Sequence, residues 1–370
     1  QARAGDPDYG PPPQSNEASA PEANEIENAF FKVRVSQETG WVESIYDKVR
    51  QREVLADGGG ANRIQIIEDR GDSEGFLKDA EGHIEHNVWD GQQWDTAPRP
   101  TISRVENGPV RTTLEIKSTF GLARFTQRIA LSNAVPRIDF EIAVDWEGEN
   151  KMVKLAFPLS VSAPEAACEI PYGVISRPCD STECAARNWA DITEGDYGVS
   201  LLNDGRYGFD FAPNVMRMSV LRSPTRPVEA TERDGVHVLR YALYPHADGW
   251  QAANTVRRGA ELNAPLFAAL VPAHGGALPP RYAFVEVAPE NIALSVLKKA
   301  EDSDDLIVRC CETQGAACAA SIAVAGALGF DAVHATDLLE NSQREIPVEN
   351  GRFQSDSGAW AIETYKLIRD

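Results

Sequence analysis

Apolar and polar residues alternate along most of this 370-residue chain in short runs bounded by turn residues. Phe31, Val33 and Val35 fall on one face of an extended segment, with Lys32 and Arg34 on the other. That period of two is what a half-buried strand requires. The same alternation recurs in TTLEIKS (112–118), RIDFEIAVDW (137–146), KMVKLAFPLSV (151–161), VMRMSVLR (215–222) and HVLRYALYP (237–245). Asn-Gly, Asp-Gly and Gly-Gly pairs lie between such runs and mark turns. This density of short strands predicts an all-β sandwich. One helix is expected over 251–264, where Ala252, Val256 and Ala260 recur every four residues.

The pattern also divides the chain. Residues 1–24 are rich in Pro, Ser and Ala without periodicity and read as a linker or extended tail. A first all-β domain is expected over 25–271 and a Pro-rich hinge, PAHGGALPPR, at 272–281. The remaining strand-like runs, over 282–370, suffice for a second, smaller sandwich. There is no internal repeat. The first residue is Gln1, with neither an initiator Met nor a signal peptide, so a processed or excised piece of something longer is expected.

Composition narrows the classes of partner. With 36 basic and 56 acidic residues the net charge is −20, a field that repels nucleic acid and anionic membranes and leaves a neutral ligand unaffected. No apolar run reaches 18 residues, so no membrane span is expected. The six cysteines form no CxxC pair and read as reduced, partly buried thiols. A bridge within Cys168, Cys179 and Cys184 stays open for an exported protein. No Asn-x-Ser/Thr sequon occurs, so a bacterial-type cytoplasmic or exported protein is the expectation.

Few motifs carry chemistry by themselves. GDSEG (71–75) fits a nucleophile elbow, but no helical stripe follows it and an acidic loop is the better reading. His83 and His86, with Asp90 nearby, have a metal-compatible but common spacing, and a solvated loop is preferred. His237, His246, His274 and His334 are isolated and read as hydrogen-bonded structural residues. GGG at 58–60 is a turn. The richest stretch is 187–224, where Trp189, Tyr197 and Tyr207 are interleaved with Asp191, Glu194, Asp196, Asp204 and Asp210. Aromatic faces stack on sugar C–H surfaces while neighbouring acids and amides bond to hydroxyls. The competing reading packs these aromatics into the sandwich core.

Several blocks, in order, resemble glycoside hydrolase family 38, the α-mannosidases. They include ENAFFKVRVSQETGWVESIYDKVRQREVL (27–55), NRIQIIED (62–69), RIDFEIAVDW with KMVKLAFPL (137–159) and WADITEGDYGVSLLNDGRYGFD (189–210). LRSP, YALYPH, SVLKKAEDSDDLIVRCCE, DLLE and ETYKLIR continue the series to the end of the chain. The resemblance implies a galactose-mutarotase-like β-supersandwich followed by a small C-terminal β-sandwich. It also implies that the zinc site, built from two His and two Asp, belongs to an N-terminal α/β barrel with no counterpart in these residues. No catalytic or zinc-binding residue can therefore be carried over, and this chain alone is expected to bind no cofactor and hydrolyse no α-mannoside. The implied partners are that catalytic domain of the same protein and a mannose-containing oligosaccharide.

By position, the resemblance puts Asp69, Asp72, Glu74, Trp189, Asp191, Asp204, Tyr207, Asp210 and Arg222 at or near a substrate rim, Arg222 bonding to sugar hydroxyls and Tyr207 stacking. Residues 70–97 depart from the shorter aromatic-and-acid stretch of many relatives. Two other readings remain: a free-standing carbohydrate-binding module, and a sugar mutarotase, which needs a positioned His and Glu as acid and base.

Overall fold

A computed structural model describes residues 24–69, 92–224, 232, 235–276 and 279–369. Among them the regular structure is almost entirely β, as the alternation predicts. Two compact units divide the chain at Thr255/Val256, the second also taking Glu169–Ile175. The helix α1 spans Thr255–Asn263, shorter than the 251–264 expected, because 251–254 form turns. The tail expected over 1–24 lies outside the described residues except for Asn24, and residues 265–276 carry no regular element.

The first unit begins with β1 (Glu25–Glu27), β2 (Phe31–Val35), β3 (Val42–Asp47) and β4 (Arg52–Glu53), an antiparallel sheet in sequence order. β5 (Arg63–Glu68) and β6 (Gln93–Asp95) start a second sheet. A meander of β7 (Thr101–Asn107), β8 (Arg111–Phe120), β9 (Ala123–Ser132) and β10 (Ile138–Asp145) starts a third. The chain then crosses repeatedly between the second and third sheets. β11 (Lys151–Pro158) joins the second, β12 (Glu165–Ile170) and β13 (Gly173–Pro178) the third, and β14 (Cys184–Ala185) the second. β15 (Trp189–Glu194) and β16 (Tyr197–Asn203) return to the third, β17 (Gly208–Ala212) and β18 (Val215–Arg222) to the second. Finally β19 (Val236–Ala247) enters the third.

The result is a six-stranded sheet, β14-β17-β18-β11-β5-β6, and a nine-stranded sheet, β13-β12-β15-β16-β19-β10-β9-β8-β7. β19 is the join of the larger sheet, pairing antiparallel with β10 on one side and β16 on the other. Phe140 and Tyr241 from the nine-stranded sheet meet Phe157 from the six-stranded one, with ring centroids 5.9 and 6.2 Å from it. The sheets therefore face one another across a shared core. Each such ring contributes roughly 1.5–3 kcal/mol by burial. Tyr241 is buried with its hydroxyl satisfied, donating to Asn62 Oδ1 at 2.6 Å.

The second unit has a three-stranded sheet of β20 (Val285–Ala288), β23 (Cys318–Val324) and β26 (Arg352–Ser357). Its five-stranded sheet is β21 (Ile292–Lys299), β22 (Leu306–Glu312), β27 (Ile362–Ile368), β24 (Ala332–Thr336) and β25 (Ser342–Ile346), in that spatial order. Phe353 on one sheet meets Tyr365 on the other, ring centroids 5.0 Å apart. Two packed sheets again enclose an apolar core.

Candidate functional site

A strict alternation builds the outer face of the six-stranded sheet. On β11, Val153, Leu155 and Phe157 enter the core, which turns Met152 and Lys154 outward. On β18, Met216 and Met218 face in while Arg217 and Ser219 face out. The pairing then slips between Val153 and Lys154, so Val220 and Leu221 are both in the core and Arg222 returns to the outer face opposite Met152. This bulge re-aims the arginine. On β17, Phe209 and Phe211 face in and Asp210 faces out, opposite Arg217.

These outward side chains and the turn 205–208 surround a cavity of about 540 Å³. Met152, Glu183, Arg206, Tyr207, Ser219, Arg222 and Glu232 line it. The turn is held by Asn203, whose Oδ1 accepts the backbone N–H groups of Gly205 and Arg206 at 2.9 and 2.8 Å. Asn-Asp-Gly supports this geometry because a short amide can cap the backbone and Gly205, at φ +129, needs no Cβ. Tyr207 is consequently presented to solvent, 55% exposed.

Charge at the cavity is paired. Arg222 grips the fully buried Asp69 with both nitrogens, Nε to Oδ2 at 2.6 Å and Nη2 to Oδ1 at 3.1 Å. Glu232 links Arg206 (2.5 Å) to the backbone N–H of Arg222 (3.2 Å). Behind them, Lys154 Nζ donates to Asp210 Oδ2 at 2.6 Å and also to Glu183, and Arg217 Nε donates to Asp210 Oδ1 at 2.6 Å. Burial pushes the Lys154 ammonium below its ordinary pKa, and the Asp210 carboxylate opposes that shift. The arrangement places an aromatic face beside fixed guanidinium and carboxylate groups, which suits a neutral, hydroxyl-rich ligand.

The structure thus brings Tyr207 and Arg222 together at the cavity, with Asp69 behind Arg222 and Asp210 behind Glu183 through Lys154. Asp204 is exposed on the adjoining turn, its carboxylate accepting the backbone N–H of Arg240 at 3.1 Å. Asp72, Glu74 and the His83, His86 and Asp90 group lie outside the described residues.

Trp189 and Asp191, expected at a rim, do not line this cavity. Both are buried in β15 of the nine-stranded sheet, and Trp189 packs on Trp250 with ring centroids 5.3 Å apart. Tyr197 is also buried, donating to Asp47 Oδ2 at 2.9 Å. Tyr197, on β16, packs in the sandwich core, whereas Trp189 is buried on the other face of β15 from the core residues Ala190 and Ile192. Lys154, Glu183, Arg206, Ser219 and Glu232 were not legible as site residues. The one available signal was a lysine inside the apolar run KMVKLAFP.

Asp191 instead anchors a sealed polar node. It accepts from Thr193 Oγ1 at 2.6 Å and Ser200 Oγ at 2.7 Å, and its Oδ2 lies 2.8 Å from His246 Nε2. Thr255 Oγ1 is 3.0 Å from Ser200 Oγ. The residue types are those of a hydrolase triad, but the geometry is not. A triad puts acid and hydroxyl on opposite ring nitrogens. Here Nε2 faces both Asp191 and Ser200 (3.1 Å), while Nδ1 faces the Ala247 carbonyl at 3.2 Å. His246 is therefore the hydrogen-bonded structural histidine that its isolation in sequence suggests.

Among the described residues no three His, Cys, Asp or Glu side chains converge as a group that could hold a metal ion. No helix among them is long and apolar enough to cross a membrane.

Two family models match the chain: the glycosyl hydrolases family 38 C-terminal domain over 26–229, and the family 38 C-terminal beta sandwich domain over 291–365. Alpha-mannosidase G of Dictyostelium discoideum is 28% identical over 313 residues, covering 79% of this chain and 27% of the relative. Alpha-mannosidase 2C1 of Mus musculus is 27% identical over 309 residues, covering 78% and 28%. The chain thus spans less than a third of the length of these curated relatives. The crystal structure of a family 38 protein from Enterococcus faecalis superposes with a TM-score of 0.76 at 18% identity, covering 96% of this chain and 45% of that one. That likeness shows a shared β fold. With the first model alone spanning more than half of its residues, the chain belongs to glycosyl hydrolase family 38, of which it forms a C-terminal portion.

Proposed function

We propose that this chain is the non-catalytic β portion of a longer retaining α-mannosidase that hydrolyses α-mannosides in oligosaccharides, where it supports the catalytic barrel and shapes the substrate cleft. The observation that carries the reading is the cavity on the outer face of the six-stranded sheet, with Tyr207 exposed beside the tethered Arg222. Exposed Leu266, Phe267 and Leu270 add support, since an apolar stretch of this kind is stabilised by cover from another domain. In this reading zinc and the nucleophilic aspartate belong to the barrel, and the tethered carboxylates here serve to hold arginines in place. The pure 370-residue chain should not turn over an aryl α-mannoside. Chelator-sensitive turnover by it would sink the proposal.

A free-standing carbohydrate-binding module is the second reading, favoured by the cavity being formed entirely within the first unit. It requires saturable calorimetric binding of mannose oligomers by the pure chain, weakened by Tyr207→Ala. A flat titration removes it and leaves the first reading intact. Mutarotation has less support, because His246 is sealed against Asp191 and Ser200 rather than open to a sugar.

A further inference from the structure

We propose that PLFAALVP, residues 265–272, is a docking strand taken up by the preceding part of the longer polypeptide, an inference that rests on the reading above. Between its two prolines, Leu266 to Val271 are apolar without a break. In extended form Leu266, Ala268 and Leu270 share one face and Phe267, Ala269 and Val271 the other, so neither face is polar. A short apolar run of this kind, bounded by breakers, is the pattern of a strand covered on both sides. β16 is such a strand, buried at every position and paired with β15 and β19 along its two edges. Residues 265–272 have the pattern without the cover. No regular element forms there and every residue is exposed, Leu266, Phe267 and Leu270 as fully as in an isolated extended peptide. No backbone hydrogen bond joins Leu266–Val271 to another described residue.

Both flanks of the run are built into the second unit. On one side α1 ends at Asn263, and the Ala264 N–H still donates to the Ala260 carbonyl at 2.8 Å. On the other, Ala325 N–H donates to the Phe284 carbonyl at 2.9 Å and β20 begins at Val285. Length and charge select the occupant. This chain spans less than a third of the curated relatives it matches, so most of such a polypeptide lies outside it. A strand tethered to that polypeptide meets it at high effective concentration. A second copy would instead bring together two chains of net charge −20, which repel. The occupant supplies what the run lacks: an open strand edge and apolar side chains on each side. In strand addition the main-chain bonds give affinity, and pockets for alternate side chains set the register. Left uncovered, an uncharged apolar run of this length is an aggregation hazard.

The test is hydrogen exchange, read by mass spectrometry, on the pure 370-residue chain and on the longer polypeptide of the same reading frame. In the pure chain the amides of Leu266–Val271 should exchange at the rate of an unstructured peptide. In the longer polypeptide they should exchange at least about 100-fold more slowly. Phe267→Asp should return the longer polypeptide to fast exchange. It should leave the melting temperature of the pure chain unchanged, because the ring is fully exposed there. Three results overturn the proposal. One is fast exchange in both samples. The second is protection in the pure chain that grows with its concentration, the mark of a second copy. The third is protection in the pure chain at every concentration, the mark of cover from within it. Turnover of an aryl α-mannoside by the longer polypeptide is read separately. Activity with an unprotected run defeats this inference alone, whereas protection without activity defeats only the mannosidase reading.

Discussion

Neutralising Asp210 would strip the buried Lys154 ammonium of its more deeply buried counter-ion. The pair sits at 2.6 Å with side chains only 3% and 2% exposed, and Glu183 is the remaining carboxylate on Lys154 Nζ. Breaking a buried ion pair from one side costs about 3–5 kcal/mol, and the retained Glu183 contact puts Asp210→Asn near the lower end, about 3 kcal/mol. For a unit of this size that corresponds to a melting temperature lower by about 9 °C. Differential scanning calorimetry of the pure chain, following the transition of the first unit, reads the shift directly.

The pH dependence has a fixed sign. Burial holds the folded pKa of Lys154 below its ordinary 10.5, so between the two values the unfolded chain binds more protons and stability rises with pH. Without Asp210 the folded pKa falls further. The deficit of the variant against wild type should therefore shrink as pH is raised from neutral towards 10.5. Adding Lys154→Met to Asp210→Asn removes both buried charges and should recover at least half of the loss. A single variant within about 1 kcal/mol of wild type, or a deficit that widens with pH, would refute the argument.

Three other variants probe separate features. Gly198→Ala places a methyl 2.5 Å from Thr193 Oγ1 and against the His246 ring, and should cost about 2–3 kcal/mol, read as a lower urea midpoint. Burial alone would raise the Glu312 carboxyl, but N–H donors of Trp360, Gln314 and Gly315, with the Asn291 amide, hold it below 4.5. Its contribution is therefore present above that value and lost as pH falls through the lower folded one. Glu312→Gln should cost about 2 kcal/mol at neutral pH and flatten that part of the acid-side stability slope. Tyr207→Ala should change stability by less than about 0.5 kcal/mol, because the ring is exposed, yet raise KM for an oligosaccharide in the complete enzyme.

Alternation made the architecture legible where one face of a strand is covered. VMRMSVLR coincides with β18, and its doubled apolar pair Val220-Leu221 is the trace of the bulge that aims Arg222. The partition of 187–224 was not legible. β15 and β16 are buried on both faces, so no period distinguishes Trp189 and Asp191 as internal. The next two strands cross to the opposite sheet, which separates Asp191 from Asp210 although they are neighbours in sequence. Tyr207 escapes burial because it lies on the turn between β16 and β17. The partnership of Lys154 with Glu183, 29 residues away, depends on strand pairing that local pattern does not encode.

The position of β19 between β10 and β16 bears on how the chain is made. At about 5–20 residues per second, Val236–Ala247 leaves the ribosome on the order of ten seconds after β10. Until then the meander ending in β10 and the hairpin of β15 and β16 each keep an open hydrogen-bonding edge, with Phe140 and Ile142 on the first and Val199 and Leu201 on the second. Open apolar edges of this kind recruit other chains. Nascent chains arrested before Val236 should therefore be the principal aggregating and chaperone-bound species, and slowing translation upstream of that strand should lower the soluble yield.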